Sequence, residues 1–166
     1  EKLCEDIEIC KLPTFGDTSL FFRLIPSEPN PKYQNCVDEF NKKSKLITNI
    51  LQKHPELLSF KNQWGNNFAG EILSNFKPNS EFIKPFIPYI SASLEDSEIA
   101  TQQNNRGFNI GMLCAHYKHQ ELFNVAFQNS SARAQKNDVD DTMEMIANNN
   151  GLIVPPLSDK QVYDYY

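Results

Sequence analysis

Apolar residues recur along this chain at the three- and four-residue spacing of an amphipathic helix, in short bursts broken by Gly, Pro and Asn. Leu3, Cys4, Ile7 and Cys10 predict a short helix over residues 1–12, which Pro13 ends. A turn at Gly16 and an N-cap at Thr18 then lead into a helix with Leu20, Phe21 and Leu24 on its apolar face. Pro26, Pro29 and Pro31 make the next stretch a loop, because proline has no backbone N–H to donate. Val37, Phe40, Leu46, Ile47, Ile50 and Leu51 predict a longer helix over 37–52. Gly65 marks a second turn, Asn67 a second cap, and Ala69, Ile72 and Leu73 an inward face. Phe82, Ile83, Phe86 and Ile87 predict a further helix that Pro85 and Pro88 shorten or kink. Residues 91–103 are polar and Ser-rich, and predict a connection with one helical turn.

The clearest pattern lies in residues 104–127. A tight turn at Gly107 precedes a helix over 110–116, a break at Lys118-His119, and a second helix over 120–127. Residues 137–151 repeat its first half, with Thr142 as cap, Met145, Ile146 and Ala147 as core, and Gly151 as the stop. Pro155 bars any continuation, and the tail SDKQVYDYY follows.

Gly16, Gly65, Gly107 and Asp140 align as turn positions, and the interval between them shortens along the chain. The last interval, from Gly107 to Asp140, equals the ankyrin period, and the Pro-rich loop and the Ser-rich connection absorb the excess in the first two. In this respect the chain resembles the ankyrin-repeat family. GDTSLFFRL carries Gly16, Thr18 and Leu20 of that family's pattern, and GNNFAGEIL carries Gly65 with Asn67 in the Thr place. GFNIGMLCA has Gly107 and Ala115, with Asn109 for Thr and Cys114 for the first Ala. His119 then takes the place of the His in the family's Gly-His pair, and Glu121, Leu122 and Val125 match its second helix. DDTMEMIAN has Thr142 and Ala147 but Asp140 at the turn Gly. No copy has the full Thr-Pro-Leu-His.

The resemblance implies an all-α fold, an ankyrin-like helix-turn-helix solenoid of about four units with helical caps. The units fall near 13–61, 62–103, 104–136 and 137–154, with 155–166 as a C-terminal cap or tail. It also implies a protein–protein interaction module that binds a partner protein on its concave surface through turn tips and the exposed edge of the first helices. The tips are Gln63, Trp64 and Asn66, then Asn105, Arg106 and Phe108, then Asp138, Val139 and Asp141; the edge adds Ser74, Asn75, His116, Tyr117, Asn149 and Asn150. Trp64, Asn66, Arg106, Phe108, His116 and Tyr117 are the expected partner-binding residues. Aromatic and Arg side chains supply most binding hot spots. The alternative is a part of an enzyme or effector in which the repeats position a catalytic domain outside this chain. A bacterial effector acting in a host cell is one such setting.

Composition and charge narrow the rest. A net charge of −5 without a dense Lys/Arg cluster argues against nucleic-acid binding; Lys42, Lys43 and Lys45 read as solvated helix positions. No apolar run reaches the roughly 18–20 residues of a membrane helix, so no membrane insertion is expected. The four cysteines form no CxxC pair, which predicts reduced thiols and a cytoplasmic setting, the host cytosol for a secreted effector. Cys114, His116 and His119 form C-x-H-x-x-H, but on a helix Cys114 points away from the two histidines. No phosphate loop, HExxH, GxSxG or EF-hand sequence is present. The expectation is therefore no enzyme, with no catalytic residue, no metal and no cofactor, and a monomer.

Overall fold

The computed structural model describes residues 19–157. The expected helix over 1–12, the Gly16 turn, the Thr18 cap and the tail SDKQVYDYY lie outside the described residues. Those described are helical with no strand; an isolated bridge joins Lys136 and Thr142. None of their helices is long and apolar enough to cross a membrane. The chain divides into two compact units, residues 1–89 and 90–166.

In the first unit, helix α1 (Leu20–Leu24) buries Phe21 and Phe22. Leu20 and Leu24, expected on the buried face, are half-buried instead. The helix is under two turns long, and its larger aromatic rings take the core because they remove more apolar surface from water. Helix α2 (Gln34–Lys53) covers the predicted span and buries Phe40, Ser44, Ile47, Ile50 and Leu51 along one stripe. A 3-10 helix (Pro55–Ser59) follows, with Leu57 and Leu58 buried and Pro55 at its start, where no N–H is needed. Helix α3 (Phe68–Asn75) carries the buried Ala69, Ile72 and Leu73 that its spacing predicts. Phe68 lies 6.0 Å from both Phe21 and Phe86, and Phe40 meets Phe76, Phe82 and Phe86 at 6.0, 5.1 and 6.3 Å. The Pro-rich loop is tied down by Glu28, whose carboxylate accepts from Lys77 N and Ser80 Oγ, both at 2.9 Å.

The predicted Phe82–Ile87 helix is a 3-10 helix (Glu81–Phe86) followed directly by helix α4 (Ile87–Glu95), which spans the division between the units. Pro85 is accommodated in the 3-10 turn, and Pro88 is the second residue of α4, where its missing donor costs nothing. The Ser-rich stretch is thus mostly helix rather than connection. The inward residues of α4 are Ile90, Ser93 and Leu94, so a serine interrupts the apolar stripe that would have announced it.

The second unit holds α5 (Ser97–Ala100), α6 (Ile110–His116), α7 (Gln120–Ala126), α8 (Ser130–Arg133) and α9 (Met143–Asn150). Helix α6 packs against both α7 and α9. Gly111 permits this approach, since a Cβ there would stand 2.2 Å from Met143 Cε and 3.1 Å from Ala126 Cβ. Met143 is fully buried and Met145 is 47% exposed, the reverse of the expected core. With Thr142 as cap, the inward positions are Met143, Ile146 and Ala147, and Met145 falls on the opposite side.

Hydrogen bonds within this unit recur at the interval that separates Gly107 from Asp140. Asp96 caps α5 and Asn129 caps α8. The bonds Asn104 N to Phe108 O and Gly107 N to Asn104 O recur as Asn137 N to Asp141 O and Asp140 N to Asn137 O. Asn109 caps α6 and Thr142 caps α9. His119 N bonds Cys114 O and Leu152 N bonds Ala147 O. The residue before each of these last donors, Lys118 and Gly151, has positive φ.

Candidate interaction surface

Three turns in the chain share one construction. The sequences NQWGN, NNRGF and NDVDD begin with Asn62, Asn104 and Asn137. Each asparagine Oδ1 accepts two backbone N–H groups, from Trp64 and Asn66, Arg106 and Phe108, or Val139 and Asp141, at 2.9–3.1 Å. One side chain therefore fixes the loop that presents the tip residues. The fourth residue of each turn has positive φ: Gly65 and Gly107 at 74°, Asp140 at 65°. Glycine takes this conformation freely, and Asp is among the few other residues that tolerate it. The alignment of Asp140 with the two glycines therefore reflects a shared backbone geometry.

Each turn delivers the chain into a capped helix. Asn67 Oδ1 accepts from Gly70 N at 3.0 Å, Asn109 Oδ1 from Met112 N at 2.9 Å, and Thr142 Oγ1 from Met145 N at 3.3 Å. Within the second unit the turns also join one another. Asp138 N donates to Arg106 O at 3.2 Å, and the Gln103 side chain donates to both Gly107 O and Lys136 O.

Of the six sequence-predicted site residues, Phe108, His116 and Tyr117 come together. The ring of His116 stands 5.5 Å from Phe108 and 4.9 Å from Tyr117, edge to face in both contacts. His116 stands between the two aromatics, and such pairs contribute about 0.5–1.5 kcal/mol each. His116 is exposed, and Phe108 and Tyr117 are half-buried. Arg106, on the same turn as Phe108, is exposed. Trp64 and Asn66 belong to the first unit. Trp64 is 56% exposed and so is not folded into the core. Asn66 is half-buried and engages Glu71 through its amide at 3.5 Å, which makes it partly a turn-holding residue.

The C-x-H-x-x-H residues diverge. Cys114 is fully buried, and burial pushes its thiol well above the ordinary range. His119 is buried at the entry of α7, whereas His116 faces outward. Among the described residues, no group of three or more His, Cys, Asp or Glu side chains is placed to hold a metal. A cleft of about 260 Å³ lies in the first unit, lined by the Pro-rich loop with Cys36, Glu39, Phe40 and Lys43. Its Glu28 carboxylate is committed to the loop anchor, and the Lys43 ammonium 2.8 Å from Glu39 holds that carboxyl below its usual range.

The turn asparagines and the donor side of Asn109 carry this surface but do not stand out individually in the sequence. The signal that finds them is the spacing N-x-x-[G/D]-x-[N/T], present at 62–67, 104–109 and 137–142. No family model matches the chain, and neither does a curated protein or a solved structure.

Proposed function

We propose that the protein is an ankyrin-like repeat array that binds a partner protein through its turn tips and the adjoining helix edge, and that it is not itself an enzyme. The observation that carries this reading is the threefold recurrence of one asparagine-built turn, each delivering a capped helix and presenting its tip side chains outward. Repeating a rigid presentation costs little ordering on binding. The aromatic trio Phe108–His116–Tyr117 supplies the anchor in the second unit, with Arg106 on the Phe108 turn; Trp64 and Asn66 are the corresponding tip residues of the first unit. Pre-set rings lose less side-chain freedom on contact than flexible residues would.

Affinity capture with the full chain and with Trp64→Ala/Phe108→Ala/Tyr117→Ala tests the reading. The expected result is a partner retained by the parent chain and lost by the variant, with unchanged circular dichroism. The variants Trp64→Ala and Phe108→Ala/Tyr117→Ala divide the effect between the two units. The same partner on all baits, with the variants folded, rules the surface out.

A further inference from the structure

Over residues 152–157, the described residues beyond Gly151, the chain is not helical, although its sequence register says that a helix is due. Ile153 follows Gln120, where α7 begins, by the same interval that separates Gly107 from Asp140, so residues 153–157 occupy the position of a second helix in the last unit. Pro155 and Pro156 remove two N–H donors there and favour extended backbone. The segment instead lies along α7 with no regular structure.

Helix α7 holds it by its backbone. Ile153 N–H donates to Gln120 Oε1 at 2.9 Å, and Gln120 Nε2 donates to Ile153 O at 2.8 Å. One carboxamide thus reads both polar groups of one residue. Further along the strap, Gln128, just past the end of the helix, donates through Nε2 to Pro156 O at 3.3 Å. The Ile153 side chain is 77% exposed, so the grip does not depend on its identity.

We propose that this face of α7, built on Gln120 and Gln128, is a docking site for an extended, proline-containing peptide segment of a partner, and that residues 152–157 are its resident occupant in cis. The partner segment needs a free N–H and C=O at one residue and proline shortly after it. Such a segment is already extended when free and loses little entropy on docking. The tethered occupant competes at an effective concentration in the millimolar range, so a partner gains access when the strap is loosened or when it brings additional contacts. This site is separate from the turn tips and does not rest on their function.

The probe is the acetylated and amidated hexapeptide Leu-Ile-Val-Pro-Pro-Leu, titrated into the full chain carrying Ile153→Pro, which removes the N–H that Gln120 reads. The side-chain amide resonances of Gln120 and Gln128 report docking. Both are expected to shift saturably, and adding Gln120→Ala is expected to weaken the peptide about tenfold, the equivalent of one lost hydrogen-bonding group. Absence of any shift at millimolar peptide, or equal affinity with Gln120→Ala, overturns the proposal. If Ile153→Pro does not fold, hydrogen exchange on the parent chain decides. Excess peptide is expected to accelerate exchange of the Ile153 amide alone, and an unchanged rate overturns the proposal.

Discussion

Replacing Gly107 by alanine is expected to destabilise the protein by about 3 kcal/mol, read as a lower urea midpoint at constant slope. Two effects add. The residue holds φ at 74°, where a Cβ costs roughly 1–2 kcal/mol. That Cβ would also stand 2.8 Å from Asn137 Cα, Asp138 N and Asp138 Oδ1. Two of those atoms are backbone of the next turn, so relief requires moving the turn, at about 1–3 kcal/mol for such overpacking. Separation of the turns would also break the Asp138 N to Arg106 O bond. Gly151 provides the comparison, because its φ is 75° but nothing lies within 4 Å of a Cβ there. Gly151→Ala should therefore show only the conformational part. Equal costs at the two glycines would mean that the turns are not in the close contact on which the repeat depends.

The second large effect is expected at Asn109, which is fully buried and makes bonds in two directions. Its Oδ1 caps α6 through Met112 N, and its Nδ2 donates to Ala132 O and Gln135 Oε1, each at 2.8 Å. Gln135 in turn donates to Thr101 O, so one buried amide joins α6 to the segments that follow α5 and α8. Asn109→Ala removes the cap, about 1 kcal/mol, and leaves buried groups without a partner, about 1–3 kcal/mol more. Chemical denaturation is expected to show a combined loss of about 3 kcal/mol. Asn109→Thr, which restores the residue that the ankyrin pattern places here, keeps the cap acceptor but not the two donated bonds, and should recover only part of the loss. Full recovery by Thr would show that the cross-links to Ala132 and Gln135 contribute nothing.

These two residues mark where the sequence could be read and where it could not. The turn at Gly107 was legible because positive φ restricts residue choice, and the same restriction allowed Asp140 to be aligned with glycine. The caps were legible because Asn or Thr stands directly before an apolar run. The donor role of Asn109 was not, since its acceptors, on Ala132 and Gln135, lie far along the chain. Spacing alone does not separate Met143 from Met145, because apolar residues at 143, 145, 146 and 147 fill more than one helical face, and only packing selects the inward set. The full length of helix α4 does not show in the sequence because the serine at 93 is buried within its apolar stripe. For the candidate surface, Phe108 and Tyr117 were placed by register, but the histidine ring that unites them emerges only from the fold. The strap over α7 had a single sequence clue, two prolines where a helix was due.

The turns, caps and hydrogen bonds of the second half of the chain recur at the Gly107-to-Asp140 interval, and in a repeat each unit is expected to be stabilised by stacking on its neighbour. The most direct test is to insert a second copy of residues 104–136 between Lys136 and Asn137 and to follow unfolding in urea by circular dichroism. In a repeat, the new turn meets the same partners as the old one and the new helices pack on faces shaped like those they leave. The expected result is a folded protein with proportionately more helical signal and one cooperative transition whose midpoint equals or exceeds that of the parent. Loss of the cooperative transition, or a midpoint well below the parent's, would contradict the repeat and leave an irregular helical bundle in its place.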